Sequence, residues 1–176
     1  MADRIILYAN DTEIKYMQNR IPKLCVGYQA VLLSECITAI KNAKRVVLFG
    51  TCGLVGHHPL NMFVAPIKWI GYSGRCITLN RGMPYIGYTS YHSVKTRDER
   101  KELEKKKVLV VDQESYIVGR ACELVYVDFI SIKYIIDKCD RRAVPYGINH
   151  YWREHQHKRM QKLFDECIER KYEPYK

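Results

Sequence analysis

Short runs rich in β-branched residues alternate with segments of helical periodicity along this chain, and this alternation restricts its fold more than any other feature. A strand-like run at 5–9 is followed by apolar residues at steps of three and four, which predict a helix over about 28–43. A second run at 45–49 leads into a short segment with two glycines, 50–53, which is predicted as a loop. Strand, helix, strand and loop in this order indicate an α/β protein.

The remaining segments continue this alternation. Runs separated by Gly and Pro over 61–91 predict strands in an antiparallel extension of the sheet. With 176 residues, 47% of them hydrophobic, the chain is predicted to form a single α/β domain over 1–176, with a central mixed β-sheet flanked by helices. The later elements predicted from the pattern are a charged helix within 95–107, a strand at 108–111, a helix from 113 to about 122, strands at 125–129 and 130–136, and a final helix with Met160, Leu163, Phe164, Cys167 and Ile168 on one face.

The spacing of the cysteines and the length of the apolar runs indicate a compartment. Seven cysteines lie far apart without a C-x-x-C pair, which is typical of a reducing environment. The first apolar run is too short for the core of a signal peptide, and no run approaches the ~20 residues of a membrane-spanning helix. We therefore expect a soluble, cytoplasmic protein with no membrane partner.

The charge of the chain is strongly positive and unevenly distributed. Lys and Arg number 29 against 19 Asp and Glu, a net charge of +10, which points to an anionic ligand or partner. Eight basic residues and no acidic one lie between Glu35 and Asp98, and two of them, Arg75 and Arg81, are candidate ligands of a substrate phosphate. The segment 95–107, by contrast, mixes seven bases with four acids, which favours a solvated helix over a nucleic-acid surface.

Three acidic residues, Glu13, Glu114 and Asp137, follow predicted strands. Open α/β sheets bind their ligands at strand ends, although a single carboxylate there more often caps a helix. Asp112 can serve as the cap of the following helix, which leaves Glu114 to point elsewhere. Asp137 closes an apolar strand, so we expect burial to raise its pKa, which is what a general acid near neutral pH requires.

Three segments carry a family resemblance. They are Val-Leu-Phe-Gly-Thr-Cys-Gly at 47–53, Val-Asp-Gln-Glu-Ser at 111–115, and Ile-Lys-Tyr-Ile-Ile-Asp-Lys-Cys-Asp at 132–140. In this order they resemble the Gly-Ser/Thr-Ala/Cys-Gly, Val-Asp-Met-Glu-Ser/Thr and Lys-Tyr-Ile-Ser-Asp-x-Ala-Asp motifs of the nucleoside phosphorylase and methylthioadenosine/S-adenosylhomocysteine nucleosidase superfamily. The chain looks like a compact, divergent member of that superfamily.

The resemblance implies a role for each carboxylate. Glu114 matches the glutamate that binds the ribose hydroxyls, Asp137 the aspartate that protonates or hydrogen-bonds N7 of a purine, and Glu13 lies near the glutamate that activates water. The resemblance also implies a homo-oligomer and a nucleoside or nucleotide as the small-molecule partner. The implied substrate-binding residues are Gly50, Thr51, Cys52, Gly53, Gln113 and Glu114, with Tyr88, Tyr91 or His92 as the aromatic that stacks on the base.

Departures from the motifs leave several functions open. Gln113 replaces a methionine beneath the sugar, and Ile136 replaces a serine that orients the aspartate. No arginine occurs at 46–49, where bacterial phosphorylases of this superfamily keep one for phosphate, so the sequence favours a purine nucleosidase, with 5′-substituted adenosine as a candidate substrate. The alternatives are a purine nucleoside phosphorylase, a nucleotide N-glycosidase, and an inactive module that binds nucleosides or nucleic acid.

Other candidate sites are weaker. The histidine pairs His57-His58 and His155-x-His157 are not spaced for chelating one ion, so no metal or other cofactor is expected. Cys52 has no assignable partner base, so packing is the better interpretation than nucleophilic catalysis. The 14 tyrosines do not cluster on one basic face in the sequence, so nucleic acid is an improbable partner.

Overall fold

The computed structural model describes residues 2–139 and 150–169 and, within them, nine strands and four α-helices. Asp140, the last residue of the third motif, lies outside the described residues, as do the side chains of Cys167 and Ile168. The elements are β1 (Ala2–Tyr8), β2 (Lys23–Cys25), α1 (Leu33–Lys41), β3 (Ala43–Leu54), β4 (Phe63–Val64), β5 (Pro66–Gly71), β6 (Cys76–Thr78), β7 (Met83–Thr89), α2 (Arg97–Lys105), β8 (Val108–Asp112), α3 (Ser115–Leu124), β9 (Asp128–Asp137) and α4 (His150–Glu169).

All nine strands belong to one mixed sheet, which confirms the predicted fold class. Its main path runs β2-β1-β3-β8-β7-β5-β6, and β9 pairs with both β3 and β4. The central strand β3 is parallel to β1 and β9 and antiparallel to β8. Apolar residues at most positions of β8 and β9 fit strands that are covered on both faces.

The structure corrects three details of the predicted topology. The segment 50–53 is not a loop, because β3 continues through both glycines to Leu54 while pairing with β9. The part of the sheet around 63–91 is not simply antiparallel, since β5 and β7 are parallel. The two strands predicted over 125–136 are a single strand, β9, preceded by a turn in which Tyr126 has a positive φ of 58°.

Buried side chains form clusters on the two faces of the sheet. On one face, α1 and α3 pack residues such as Ile40 and Val118 against β3 and β9. On the other, Met160 and Phe164 of α4 pack against Phe49 and Tyr134. Two of the residues predicted on the apolar face of the final helix are therefore in the core, and α4 lies over the strands that carry the segments 47–53 and 132–137.

Candidate active site

The centre of the sheet has a gap along one edge of β3. Strand β1 pairs with β3 as far as Leu48, and β8 pairs with it only from Gly53 onwards. Because β1 is parallel and β8 antiparallel to β3, their carboxyl ends approach this gap from opposite directions. The other edge of β3 is fully paired with β9, whose last residue, Asp137, lies beside Gly53. The register thus brings the carboxyl ends of β1, β8 and β9 close together, and the three acids that follow these strands can meet at one site.

Glu13 fills part of the gap. It lies in the short 3-10 turn Asp11–Glu13 that follows β1, and it is buried. Its Oε1 accepts a hydrogen bond from the Thr51 backbone N–H at 2.9 Å, a group that no strand pairs on this edge, and its Oε2 accepts one from Ala9 N–H at 3.0 Å. These two backbone donors fix the orientation of the carboxyl group.

The two glycines of the segment 50–53 make room for two of the carboxylates. A Cβ atom on Gly50 would lie 2.7 Å from Glu13 Oε1, and one on Gly53 would lie 2.9 Å from Asp137 Oδ1 and also overlap Cys139 Sγ. Both separations are shorter than van der Waals contact. Glycine at position 50 therefore leaves space for Glu13, and glycine at position 53 leaves space for Cys139 and Asp137, within β3 and not in a turn.

Asp112 and Glu114 have different surroundings although they are two residues apart. Asp112 accepts hydrogen bonds from Thr89 Oγ1 at 2.8 Å, from the Ser115 backbone N–H at 3.0 Å and from the Ser115 hydroxyl, so it caps α3 as the sequence suggested. Glu114 makes no capping bond. Burial raises the pKa of Glu114 to about 7, since the attraction of Lys133 only partly offsets the loss of solvation and the repulsion of Asp112 and Glu13.

Lys133 is the site residue that the sequence analysis missed. It lies in the middle of β9, is 1% exposed, and places Nζ 2.9 Å from Asp112 Oδ2 and 3.6 Å from Glu114 Oε2. Burial disfavours its ammonium, but Asp112, Glu114 and Glu13 outweigh burial and raise its pKa. A lysine at an inward position of an apolar strand, with three acids elsewhere in the chain, was the signal that could have revealed it.

Asp137 is half-buried at the end of β9. Its Oδ1 accepts the backbone N–H of Cys139 at 2.9 Å. This bond orients the carboxyl group towards the end of β3. The predicted rise in the pKa of Asp137 stays a prediction.

A cavity of about 220 Å³ opens at this gap. It is lined by Glu13, Glu114 and Asp137, together with Thr51, Cys52, Gly53, Gln113, Tyr28, Ala9, His92, Ser93, Val94, Val111, Asp112, Ile136 and Cys139. Burial raises the pKa of the Cys52 thiol well above its usual value, which fits a packing role. No lysine or arginine is among the described residues that line the cavity.

Four predicted binding residues are not among those that line this cavity: Gly50, which lies against Glu13, and Tyr91, Arg75 and Arg81. Tyr91 is 66% exposed and its ring meets Tyr72, while the next residue, His92, lines the cavity in its place. Arg75 lies in the exposed turn between β5 and β6.

Arg81 lies away from the cavity, and its role as a phosphate ligand stays a prediction. Its Nε lies 3.8 Å from Asp128 Oδ2 at the first residue of β9, whereas Asp137 of the cavity is the last residue of that ten-residue strand. A strand rises about 3.3 Å per residue, so the two ends are about 30 Å apart.

Other features of the described residues offer less chemistry. A larger cavity of about 430 Å³ near His57 contains a single carboxylate, Glu104, which is paired with Arg100 at 3.1 Å. Among residues 2–139 and 150–169, no group of His, Cys, Asp and Glu is arranged to hold a metal ion. No helix in this part of the chain is long and apolar enough to cross a membrane.

Solved structures share this architecture. No protein-family model and no curated protein matches the sequence. The futalosine hydrolase of Helicobacter pylori matches with a TM-score of 0.77 and 12% identity over 96% of this chain and 98% of its own. A second match is the 5′-methylthioadenosine/S-adenosylhomocysteine nucleosidase of H. pylori, as an Asp-to-Asn mutant with 5′-methylthioadenosine in the active site. Its TM-score is 0.76 and its identity 13%, over 97% of this chain and 99% of its own. A Chlamydia trachomatis structure described as MTAN bound to MTA matches with 0.72 and 10% over the full length of both chains. The chain therefore has the same fold as these solved structures.

Proposed function

We propose that this chain is a purine nucleosidase that hydrolyses the bond between base and ribose. The observation that carries the proposal is the convergence of Glu13, Glu114 and Asp137 on one cavity at the gap in β3. Each follows a different strand. Glu114 and Asp137 match carboxylates of the superfamily motifs, and Glu13 lies near the position of a third. The fold shared with structures described as nucleosidases and as a hydrolase supports the same conclusion.

The proposed mechanism gives each carboxylate one task. Asp137 donates a proton to N7 of the base, so that the electron pair of the breaking glycosidic bond leaves with a neutral purine. Glu114 accepts hydrogen bonds from the ribose hydroxyls, which strengthen as the sugar becomes an oxocarbenium ion. Glu13, oriented by the backbone N–H groups of Ala9 and Thr51, takes a proton from the water that attacks the opposite face of the sugar.

Water is favoured over phosphate as the acceptor. Phosphorolysis needs a cationic fork that grips the phosphate, and the described lining of the cavity contains neither lysine nor arginine. The same observation weighs against a nucleotide N-glycosidase, because nothing in that lining matches a 5′-phosphate. The substrate class to test first is 5′-substituted adenosine, the class that contains the 5′-methylthioadenosine described in one related structure.

The test is release of free base by the purified chain from adenosine, methylthioadenosine, inosine and AMP, with and without phosphate. We expect release from an uncharged purine nucleoside without phosphate and little from AMP. A preparation of Asp137→Asn made in parallel controls for nucleosidases of the expression host. Release that depends on phosphate would indicate a phosphorylase, and tight binding without turnover would indicate an inactive module. The homo-oligomer and the cytoplasmic location remain predictions that this assay does not address.

A further inference from the structure

Lys133 lies in β9 with its ammonium group beside Asp112 and Glu114. In the register of β9 it lies opposite Gly50 of β3 and Val64 of β4, so neither neighbour brings a polar side chain. A fully buried ammonium costs several kcal/mol unless it is paired. The acids that surround it therefore explain both its burial and its charge.

The two carboxylates nearest to Lys133 differ in what else they bind. Asp112 receives donors from Thr89 and Ser115 as well as from Lys133, so its oxygens are fully occupied. Glu114 receives only the Gln29 backbone N–H at 3.3 Å among the described residues, and Lys133 at 3.6 Å is a charge partner beyond hydrogen-bond distance. Glu114 thus retains acceptor capacity for a ligand.

We propose that Lys133 is a positioning residue, anchored by Asp112, that keeps Glu114 in the carboxylate form needed to accept hydrogen bonds from two ribose hydroxyls. A protonated Glu114 would offer one oxygen as a donor and lose half of that capacity. This inference rests on the proposed function, because the ligand of Glu114 is the ribose of that function.

The other groups around Glu114 disfavour its carboxylate form, and Lys133 opposes them. Asp112 from β8 and Glu13 from the turn after β1 both repel its carboxylate, and burial removes solvation. His92 and Asp137 line the same cavity. Lys133 of β9 is the cationic side chain that lowers the pKa of Glu114, with the Gln29 N–H as the weaker second effect.

The experiment replaces Lys133 by methionine, which keeps the length of the side chain and removes its charge. Carboxyl ¹³C NMR, with the Glu114 signal assigned by its absence in Glu114→Gln, should show the pKa of Glu114 rising by about one pH unit or more. The acidic limb of the pH profile of kcat/KM for a ribonucleoside should move upward by the same amount. Loss of activity at neutral pH should be about fivefold or more and should recover at higher pH.

Two further variants keep the test decisive. Lys133→Arg retains the charge and should leave the acidic limb in place. If Lys133→Met does not fold because Asp112 is left unpaired, the double variant Asp112→Asn, Lys133→Met removes both charges and is measured instead, with Asp112→Asn alone as its reference.

An unchanged pKa of Glu114 in a folded variant would overturn the inference, as would a uniform loss of activity without movement of the limb. The NMR reading needs no turnover. Absence of nucleoside hydrolysis by the parent chain would therefore count against the proposed function, while the pKa of Glu114 reports on Lys133.

Discussion

The Glu13 carboxylate packs directly against Gly50, so that a Cβ atom at position 50 would lie only 2.7 Å from Glu13 Oε1. We predict that Gly50→Ala expels this carboxylate and breaks its hydrogen bond with the Thr51 N–H. If Glu13 activates the attacking water, kcat should fall about 10²-fold or more while KM changes little. Steady-state kinetics with a turned-over nucleoside measures both constants.

Gly56→Ala is a matched control for this variant. It lies just beyond the same strand, and the nearest atom to its added Cβ is the end of the Leu109 side chain at 3.3 Å. We expect near-normal kinetics from it. Equal losses in the two variants, or normal kcat in Gly50→Ala, would remove Glu13 from the reaction.

Asp137→Asn tests the leaving-group proton. The side chain keeps its shape and its oxygen can still accept the Cys139 N–H, but the amide has no proton to give to a purine. We expect kcat to fall about 10²-fold or more and nucleoside binding, measured by calorimetry, to persist. Asp98→Asn, in the exposed first turn of α2, should leave both unchanged. Full turnover by a folded Asp137→Asn variant would contradict the assigned role.

Glu114→Gln tests recognition of the sugar. The amide offers one acceptor oxygen where the carboxylate offers two, so binding of the ribose hydroxyls weakens. The loss in kcat/KM should be larger for a ribonucleoside than for its 2′-deoxy analogue, and the variant should discriminate between them less than the parent. The ratio of the two kcat/KM values is the measurement. Equal losses on both substrates would place Glu114 away from the 2′-hydroxyl.

The sequence predicted the elements that bury apolar side chains, because periodicity follows directly from which face is covered. It also singled out Glu13, Glu114 and Asp137, since each follows an apolar run, and the structure places all three at one cavity. It mistook 50–53 for a loop because glycine is common in turns, whereas these glycines lie in β3, where Gly50 makes room for Glu13 and Gly53 for Cys139 and Asp137.

The positions of Lys133 and Arg81 depend on contacts between residues far apart in the sequence, which local patterns do not predict. The side chain of Lys133 is stabilised by Asp112, 21 positions earlier, through a contact that local sequence does not encode. Arg81 was chosen because it lies in the acid-free segment between Glu35 and Asp98, but the register of the strands carries it to Asp128, at the end of β9 opposite to Asp137. The phosphate site inferred from the absence of acids between Glu35 and Asp98 stays a prediction.

Helix α4 also supports the site, through Gln161. This side chain is fully buried, donates to the Thr12 carbonyl at 2.6 Å and accepts the Tyr16 N–H, so it holds the backbone on both sides of Glu13. Gln161→Met should leave the Thr12 carbonyl and the Tyr16 N–H without this hydrogen-bond partner and lower the free energy of unfolding by about 1–3 kcal/mol. It should also reduce kcat more than it raises KM. Urea unfolding and kinetics measure the two effects. Lys162→Met, at an exposed neighbouring position, is the control, and unchanged kcat in the Gln161 variant would show that the turn holds Glu13 without α4.

The buried Glu114 should also make folding stability depend on pH. Burial raises its pKa from 4.5 to about 7, so between these values the folded protein binds more protons than the unfolded chain, and the unfolding free energy decreases as pH rises. Glu114→Gln removes this titrating group, so the Tm of the variant minus the Tm of the parent should increase from pH 5 to pH 8. The exposed Glu123→Gln is the control and should show no such gain. A Tm difference between the Glu114 variant and the parent that stays constant over this range would mean that Glu114 titrates at its ordinary value, with Lys133 fully offsetting its burial.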